Sequence, residues 1–236
     1  MTQLLVSVRT PQEALMALQS GADIVDLKDP AAGALGALPS KVIDEIVRLI
    51  DGRVPISATI GDVPLDSDDA MYAIEHTSKA GVDIVKAGFF GRRETPGRWV
   101  EELQPYASST RLIAVLFADE MPDVGILSEL KQAGFYGVML DTITKNGKSL
   151  EDYVPMDLLK DFLELANHHG LVAGLAGSLR MSHIPLLAPL KPDYLGFRGG
   201  LCEQLSRTGS LLPGRVEEAK KLLRENNNIN EYAGWA

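Results

Sequence analysis

Residues 22–30 read ADIVDLKDP, and residues 82–90 read VDIVKAGFF. In both, a run of apolar, β-branched residues is interrupted by charge: Asp26 and Lys28 in the first, Lys86 in the second. The openings 21-GADIVD-26 and 81-GVDIVK-86 look like one βα unit repeated, with glycine ending a helix and a strand following at once.

The same alternation runs along the chain. Short β-rich runs occur at 4-LLVSV-8, 23-DIVDLK-28, 56-ISATIGD-62, 83-DIVKAGF-89, 111-RLIAVLFAD-119, 137-GVMLDTI-143, 171-LVAGLAGS-178 and 194-YLGFRGG-200. Amphipathic stretches of helical period separate them, as in 12-QEALMALQSG-21, 40-SKVIDEIVRLI-50 and 157-DLLKDFLELANHHG-170. Alternating strands and helices imply parallel pairing with right-handed crossovers. Eight such units predict a single α/β domain over 1–236, a (β/α)8 TIM barrel, with a polar, peripheral tail from about 225. A doubly wound sheet is the competitor, but its glycine-rich phosphate turn is missing after the first strand, which leads into VRTPQEA.

Net charge is −9 with no basic stripe, which excludes the electrostatic footprint of a nucleic-acid or anionic-membrane partner but not a small anionic substrate. One cysteine, Cys202, permits no intrachain disulfide and no cysteine-based metal site. The N-terminal apolar run is short and broken by Arg9, unlike a signal peptide or a membrane span, so the cytoplasm is the expected location. Apolar segments that read as exposed, 184-IPLLAPL-190 and Trp235, predict a homo-oligomer.

Barrel enzymes carry their chemistry where the strands finish. There this chain places Asp26 and Lys28, Thr59 and Asp62, Lys86, Asp119, Asp141, Gly177 and Ser178, and Arg198, Gly199 and Gly200. Side chains two apart share a strand face, so Asp26 and Lys28 point the same way, and aligning the repeats puts Lys86 level with Asp26. A fully buried lysine loses about 3–5 pKa units, roughly 4–7 kcal/mol if unpaired, out of about 5–15 for a whole domain. Such lysines are paired or useful. Their use is as amines, since desolvation and a second cation raise the neutral fraction that attacks a carbonyl to form a Schiff base. The plainer reading is that each lysine bridges a carboxylate, Asp26 or Asp141, and holds the barrel layers in register.

Other residues carry weaker signals. Thr59, Asp62 and Asp119 suit loop-forming or capping roles, and His168 and His169 suit a helix C-terminus. His183 lies within reach of the mouth. The ends of the seventh and eighth strands, GLAGSLR and GFRGGL, fall where barrels often hold phosphate, with glycine backbone N–H groups and the Ser178 hydroxyl as donors. For Arg198 two readings stand: a grip on phosphate, or an inward partner for a buried acid.

The set GADIVDLKDP, SATIGDVP, DIVKAGFFG, MLDTITKNGKSL, LAGSL…HIP and GFRGG resembles the (5-formylfuran-3-yl)methyl phosphate synthase family, also called 4-(hydroxymethyl)-2-furancarboxaldehyde-phosphate synthase. The likeness runs in order from the first strand to about Arg215. The resemblance implies a class I aldolase-like barrel that joins two molecules of glyceraldehyde 3-phosphate in methanofuran biosynthesis, without metal or organic cofactor. It puts the Schiff-base lysine on Lys28, the proton-transferring lysine on Lys86, and accessory roles on Asp26, Asp141 and Lys145, the last otherwise an unremarkable loop lysine before the Asn146-Gly147 turn. Where the family often has Arg-Gly-Ala-Ala-Cys, this chain has 198-RGGLC-202, and the segment before Asp119 is shorter.

Overall fold

The computed structural model describes residues 1–65, 67–90, 96–144 and 146–232. Strands and helices alternate throughout: β1 (Gln3–Val8), α1 (Pro11–Gln19), β2 (Ile24–Leu27), α2 (Ser40–Ile50), β3 (Ile56–Thr59), α3 (Asp68–Lys79), β4 (Ile84–Gly88), α4 (Pro96–Ser109), β5 (Arg111–Phe117), α5 (Ile126–Gln132), β6 (Gly137–Asp141), α6 (Met156–His168), β7 (Val172–Leu175), α7 (Ile184–Leu187), β8 (Tyr194–Phe197) and α8 (Pro213–Tyr232). The strands pair in parallel in chain order, and β1 closes the barrel by pairing with both β2 and β8.

The repeated Gly-x-Asp-Ile-Val pattern has two structural causes. Gly21, Gly81 and Gly134 all end their helices with φ between +86° and +93°, the left-handed region glycine enters without steric cost. The aspartate that follows then caps a neighbouring strand. Asp23 accepts from the Leu4 N–H at 2.8 Å, and Asp83 accepts from the Ile56 N–H at 2.8 Å. Asp193 does the same for Ala173 at 2.7 Å. Each carboxylate thus satisfies the first free donor of an adjacent strand at the floor of the barrel.

Two hydrophobic layers follow from strand parity. Outward residues such as Leu4, Val6, Val25, Leu27, Val85 and Leu116 pack under the helices, where Ile43, Ile46, Ile50, Leu159 and Phe162 meet them. Inward residues Leu5, Ile24, Ile84, Ile113, Val115, Met139 and Tyr194 fill the lower barrel.

Two expectations need correcting. The polar run from 225 is not simply peripheral: α8 continues through it, and Asn227 is buried against the first strand. Its side chain accepts from the Thr2 N–H at 2.9 Å and donates to the Thr2 carbonyl at 3.1 Å, a use for asparagine that hydropathy does not register. Nor is 184–190 an exposed apolar strip. Ile184, Leu187 and Ala188 are buried where α7 turns onto α8, leaving Leu186 as the exposed large side chain. Trp235 lies outside the described residues. Among those described, no helix is long and apolar enough to cross a membrane.

Candidate active site

Among the described residues, one side of the barrel mouth is plugged. The loop between β2 and α2 folds inward, and Ala34 and Leu35 join Phe117 in the interior cluster, with the Phe90 ring tilted against Phe117 at 4.9 Å between centroids. This plug covers the β3–β5 side. What remains is a cavity of about 290 Å³ on the other side, lined chiefly by β1, β2 and β6–β8 and reached from β4 by Lys86 alone. Asp26, Lys28, Lys86 and Asp141 all line it.

Its deepest polar feature is Asp26, which is 1% exposed. Ser7 and Ser57 flank it in register on β1 and β3, and both hydroxyls donate to it at 2.7 Å, one to each oxygen. Lys86 pairs along the ladder with Thr59, two residues beyond Ser57, but strand tilt in a closed barrel brings it level with Asp26. The Lys86 ammonium lies 2.5 Å from Asp26 Oδ1, and the lysine is only 2% exposed.

Burial works against both charges of this pair. Burial alone would raise the Asp26 carboxyl, but Lys86, Lys28 and the Ser57 hydroxyl hold it below its ordinary value. For Lys86 burial dominates and lowers the ammonium below the usual lysine range, reinforced by Lys28 and opposed by Asp26 and Asp141.

Lys28 stands just beyond the end of β2, nearer the mouth, its Nζ 3.2 Å from Asp141 Oδ2. Asp141 is itself fixed at the end of β6, accepting the Thr142 N–H at 2.7 Å through its other oxygen. Each lysine has its own carboxylate, Asp26 for Lys86 and Asp141 for Lys28, and Asp141 also acts on Lys86 through space, favouring its charged form.

Gly177, Ser178, Arg198, Gly199 and Gly200 all line the cavity. Close backbone approach accounts for two of the glycines. A Cβ on Gly200 would stand 2.3 Å from the Leu179 carbonyl, and one on Gly177 would stand 2.9 Å from Thr142 while φ is +107°. Of the two readings of Arg198, the geometry supports the inward one. Its five N–H groups go to Glu13 at 2.6 and 3.0 Å and to the carbonyls of Ser7, Arg207 and Gly209 at 2.9–3.1 Å. No donor is left to grip a phosphate.

Lys145 lies outside the described residues; Gly147, two positions further on in the sequence, lines the cavity. Asp62 and Asp119 serve their loops: Asp62 accepts from Ala34 and Leu35, and Asp119 from Ile143 and Thr144. The buried Thr59 hydroxyl donates to the carbonyls of Leu27 and Gly36. His168 and His169 end α6 as expected. His183 points away from the cavity, 2.8 Å from Glu151, while its Nδ1 accepts from the Arg180 N–H at 3.0 Å.

Four polar residues in or just behind the cavity were missed by the sequence reading. Ser7 and Ser57 were detectable by parity, each on the inward face near a strand end, Ser7 one residue before the end of β1 and Ser57 two before the end of β3. Arg180 and Arg207 had no such signal, because both lie in irregular segments beyond β7 and β8. Arg207 crosses the mouth to donate to the Gly33 carbonyl on the β2 loop, and burial is the main influence lowering its pKa. Glu13 was missed as well, since its role depends on Arg198 from the far end of the chain.

A closed (β/α)8 barrel with two lysine–carboxylate pairs in one rim cavity places the chain among barrels with a charged pocket at the strand C-termini. The 4-HFC-P synthase family model matches residues 4–220, and the chain belongs to that family. The (5-formylfuran-3-yl)methyl phosphate synthase of Methanosarcina acetivorans is 36% identical over 94% of this chain and 98% of its own. The synthase of the same name from Methanopyrus kandleri is 34% identical over 87% of this chain and 91% of its own. A Methylorubrum extorquens protein given that name provisionally is 42% identical over 94% and 92%. Among solved structures, 3-hexulose-6-phosphate synthase from Salmonella typhimurium shares the fold at TM-score 0.68 and 14% identity, covering 95% of this chain and all of its own.

Proposed function

We propose that this chain condenses two molecules of glyceraldehyde 3-phosphate into (5-formylfuran-3-yl)methyl phosphate through an imine on Lys28. The observation that carries the reading is the division of labour between two lysines in one cavity, the outer held by Asp141 and the inner buried against Asp26. Lys28 is 12% exposed on its side chain, so a carbonyl entering from solvent meets it first. Its attack expels water and leaves an imine that acts as an electron sink. Lys86, whose burial favours the neutral amine, takes a proton from the adjacent carbon and returns one later. The resulting enamine carbon bonds to the aldehyde carbon of the second triose. Loss of one phosphate and of two waters overall, with hydrolysis of the imine returning the water its formation expelled, then gives the aromatic ring. Atoms balance without oxidant or reductant, and the imine supplies the electron sink an organic cofactor would otherwise provide.

Substrate phosphate is assigned to the backbone donors of Gly177, Ser178, Gly199 and Gly200 together with Arg180 and Arg207. Among the cations lining the cavity, Lys28, Lys86 and Arg198 are held by carboxylates, whereas Arg180 and Arg207 have no acidic partner within bonding distance among the described residues. Methanofuran biosynthesis is the corresponding pathway. The test is the product from glyceraldehyde 3-phosphate alone: a furan aldehyde, seen by its near-ultraviolet absorbance with release of inorganic phosphate. A hexose bisphosphate or a simple triose isomer as sole product would move the chain to another phospho-sugar aldolase or isomerase activity.

A further inference from the structure

We infer that Ser7 and Ser57 are positioning residues that hold Asp26 as a fixed, fully engaged acceptor, so that Lys86 and not Asp26 carries the proton to and from the substrate. The inference rests on the reading of Lys86 as the proton carrier and adds what sets its readiness to act.

The geometry is specific. Asp26 sits between two serines in register on the neighbouring strands, and each hydroxyl donates to a different carboxylate oxygen at 2.7 Å. Both serines are buried, Ser7 at 6% and Ser57 at 1% exposed, and Asp26 is the side-chain acceptor each hydroxyl meets. With Lys86 on Oδ1 as well, the carboxylate has partners on both oxygens where it faces the cavity floor.

Hydroxyl donors draw charge away from the carboxylate, and a carboxylate so engaged holds a neighbouring ammonium less tightly. The other titratable groups facing Lys86 are Lys28 from β2 and Asp141 from β6, and the Tyr194 phenol of β8 lies near Asp26 one layer deeper. None of these donates a hydrogen bond to Asp26; the serines do. Without them the Asp26–Lys86 pair keeps its shared proton to higher pH, whichever of the two side chains bears it. Fewer enzyme molecules then hold the neutral amine at neutral pH.

The experiment is the pH profile of kcat/KM with glyceraldehyde 3-phosphate for wild type, Ser7→Ala, Ser57→Ala and Ser57→Thr. It is run beside borohydride trapping on Lys28 and a thermal melt of each variant. The expected result is an acid limb displaced upward by about one pH unit in each alanine variant, with most of the lost rate recovered on the alkaline side. Ser57→Thr, which keeps the hydroxyl, returns the limb toward wild type. Alanine profiles parallel to wild type at every pH, with the Lys28 adduct still formed, would overturn the inference and leave the imine reading standing. Absence of the adduct in wild type would remove the imine reading and this inference with it.

Discussion

At the scale of single residues, the protein rests on an ion pair that is costly by itself. Lys86 and Asp26 are both withdrawn from water, and breaking such a pair typically costs about 3–5 kcal/mol, because the survivor keeps an uncompensated buried charge. Lys86→Met should therefore abolish condensation while costing about that much stability at neutral pH. The sign of its pH dependence follows. In wild type Asp26 is held below its ordinary pKa, so its contribution is fully present above that ordinary value and is lost as pH falls through the folded one. In Lys86→Met burial is left in control and raises Asp26, so stability falls as pH rises from about 4 toward the raised value. Urea titrations at pH 4 to 8 check this: the gap between variant and wild type should narrow toward pH 4, and a pH-independent gap would contradict it. Both charged residues were legible in the sequence, because charge inside a β-branched run demands an explanation. That Lys86 stands level with Asp26 was legible too, from aligning the repeats, whereas which carboxylate serves which lysine was not, since that depends on strand tilt around the closed barrel.

At the scale of the elements, the loops beyond the strands divide support from recognition. Arg198 ties the end of β8 to Glu13 of α1 and to three backbone carbonyls, whereas Arg207 bridges to the β2 loop with part of its guanidinium left for the cavity. Arg198→Met should lower Tm by roughly 6–20 °C, from about 3–5 kcal/mol for the orphaned Glu13 at about 2–4 °C per kcal/mol. Arg207→Ala should leave Tm within a few degrees and raise KM by about 10–100-fold, the range for losing a charge-assisted hydrogen bond to phosphate. Melts and initial rates on both variants separate the roles, and an Arg198→Met protein with unchanged Tm and a raised KM would reverse them. The glycine punctuation of these loops was visible in the sequence. The partner of Arg198 was not, because Glu13 lies 185 residues away.

At the scale of the whole molecule, closure joins the two ends of the chain. β1 completes the barrel against β8, and Asn227 of α8 satisfies both backbone groups of Thr2 immediately before β1. Asn227→Ala leaves a buried donor and acceptor unsatisfied, at about 1–3 kcal/mol, and should lower Tm by roughly 2–12 °C with kcat/KM unchanged. An unaltered melting temperature would show that α8 holds the floor by apolar packing alone. The eight strands and their order could be read from periodicity and from the repeated glycine–aspartate junction, because each unit states its own pattern locally. The fastening of 225–232 escaped that reading, since a polar run that caps a strand end has the composition of a solvated tail.

The central claim is that the amine standing outermost in the cavity bonds covalently to substrate. It is tested most directly by borohydride reduction in the presence of glyceraldehyde 3-phosphate, followed by peptide mass mapping. The account predicts one triose-derived adduct on the peptide containing Lys28, absent in Lys28→Arg, whose guanidinium keeps the charge but forms no imine. Active enzyme that yields no adduct, or an adduct on Lys86 with Lys28 unmodified, would contradict it.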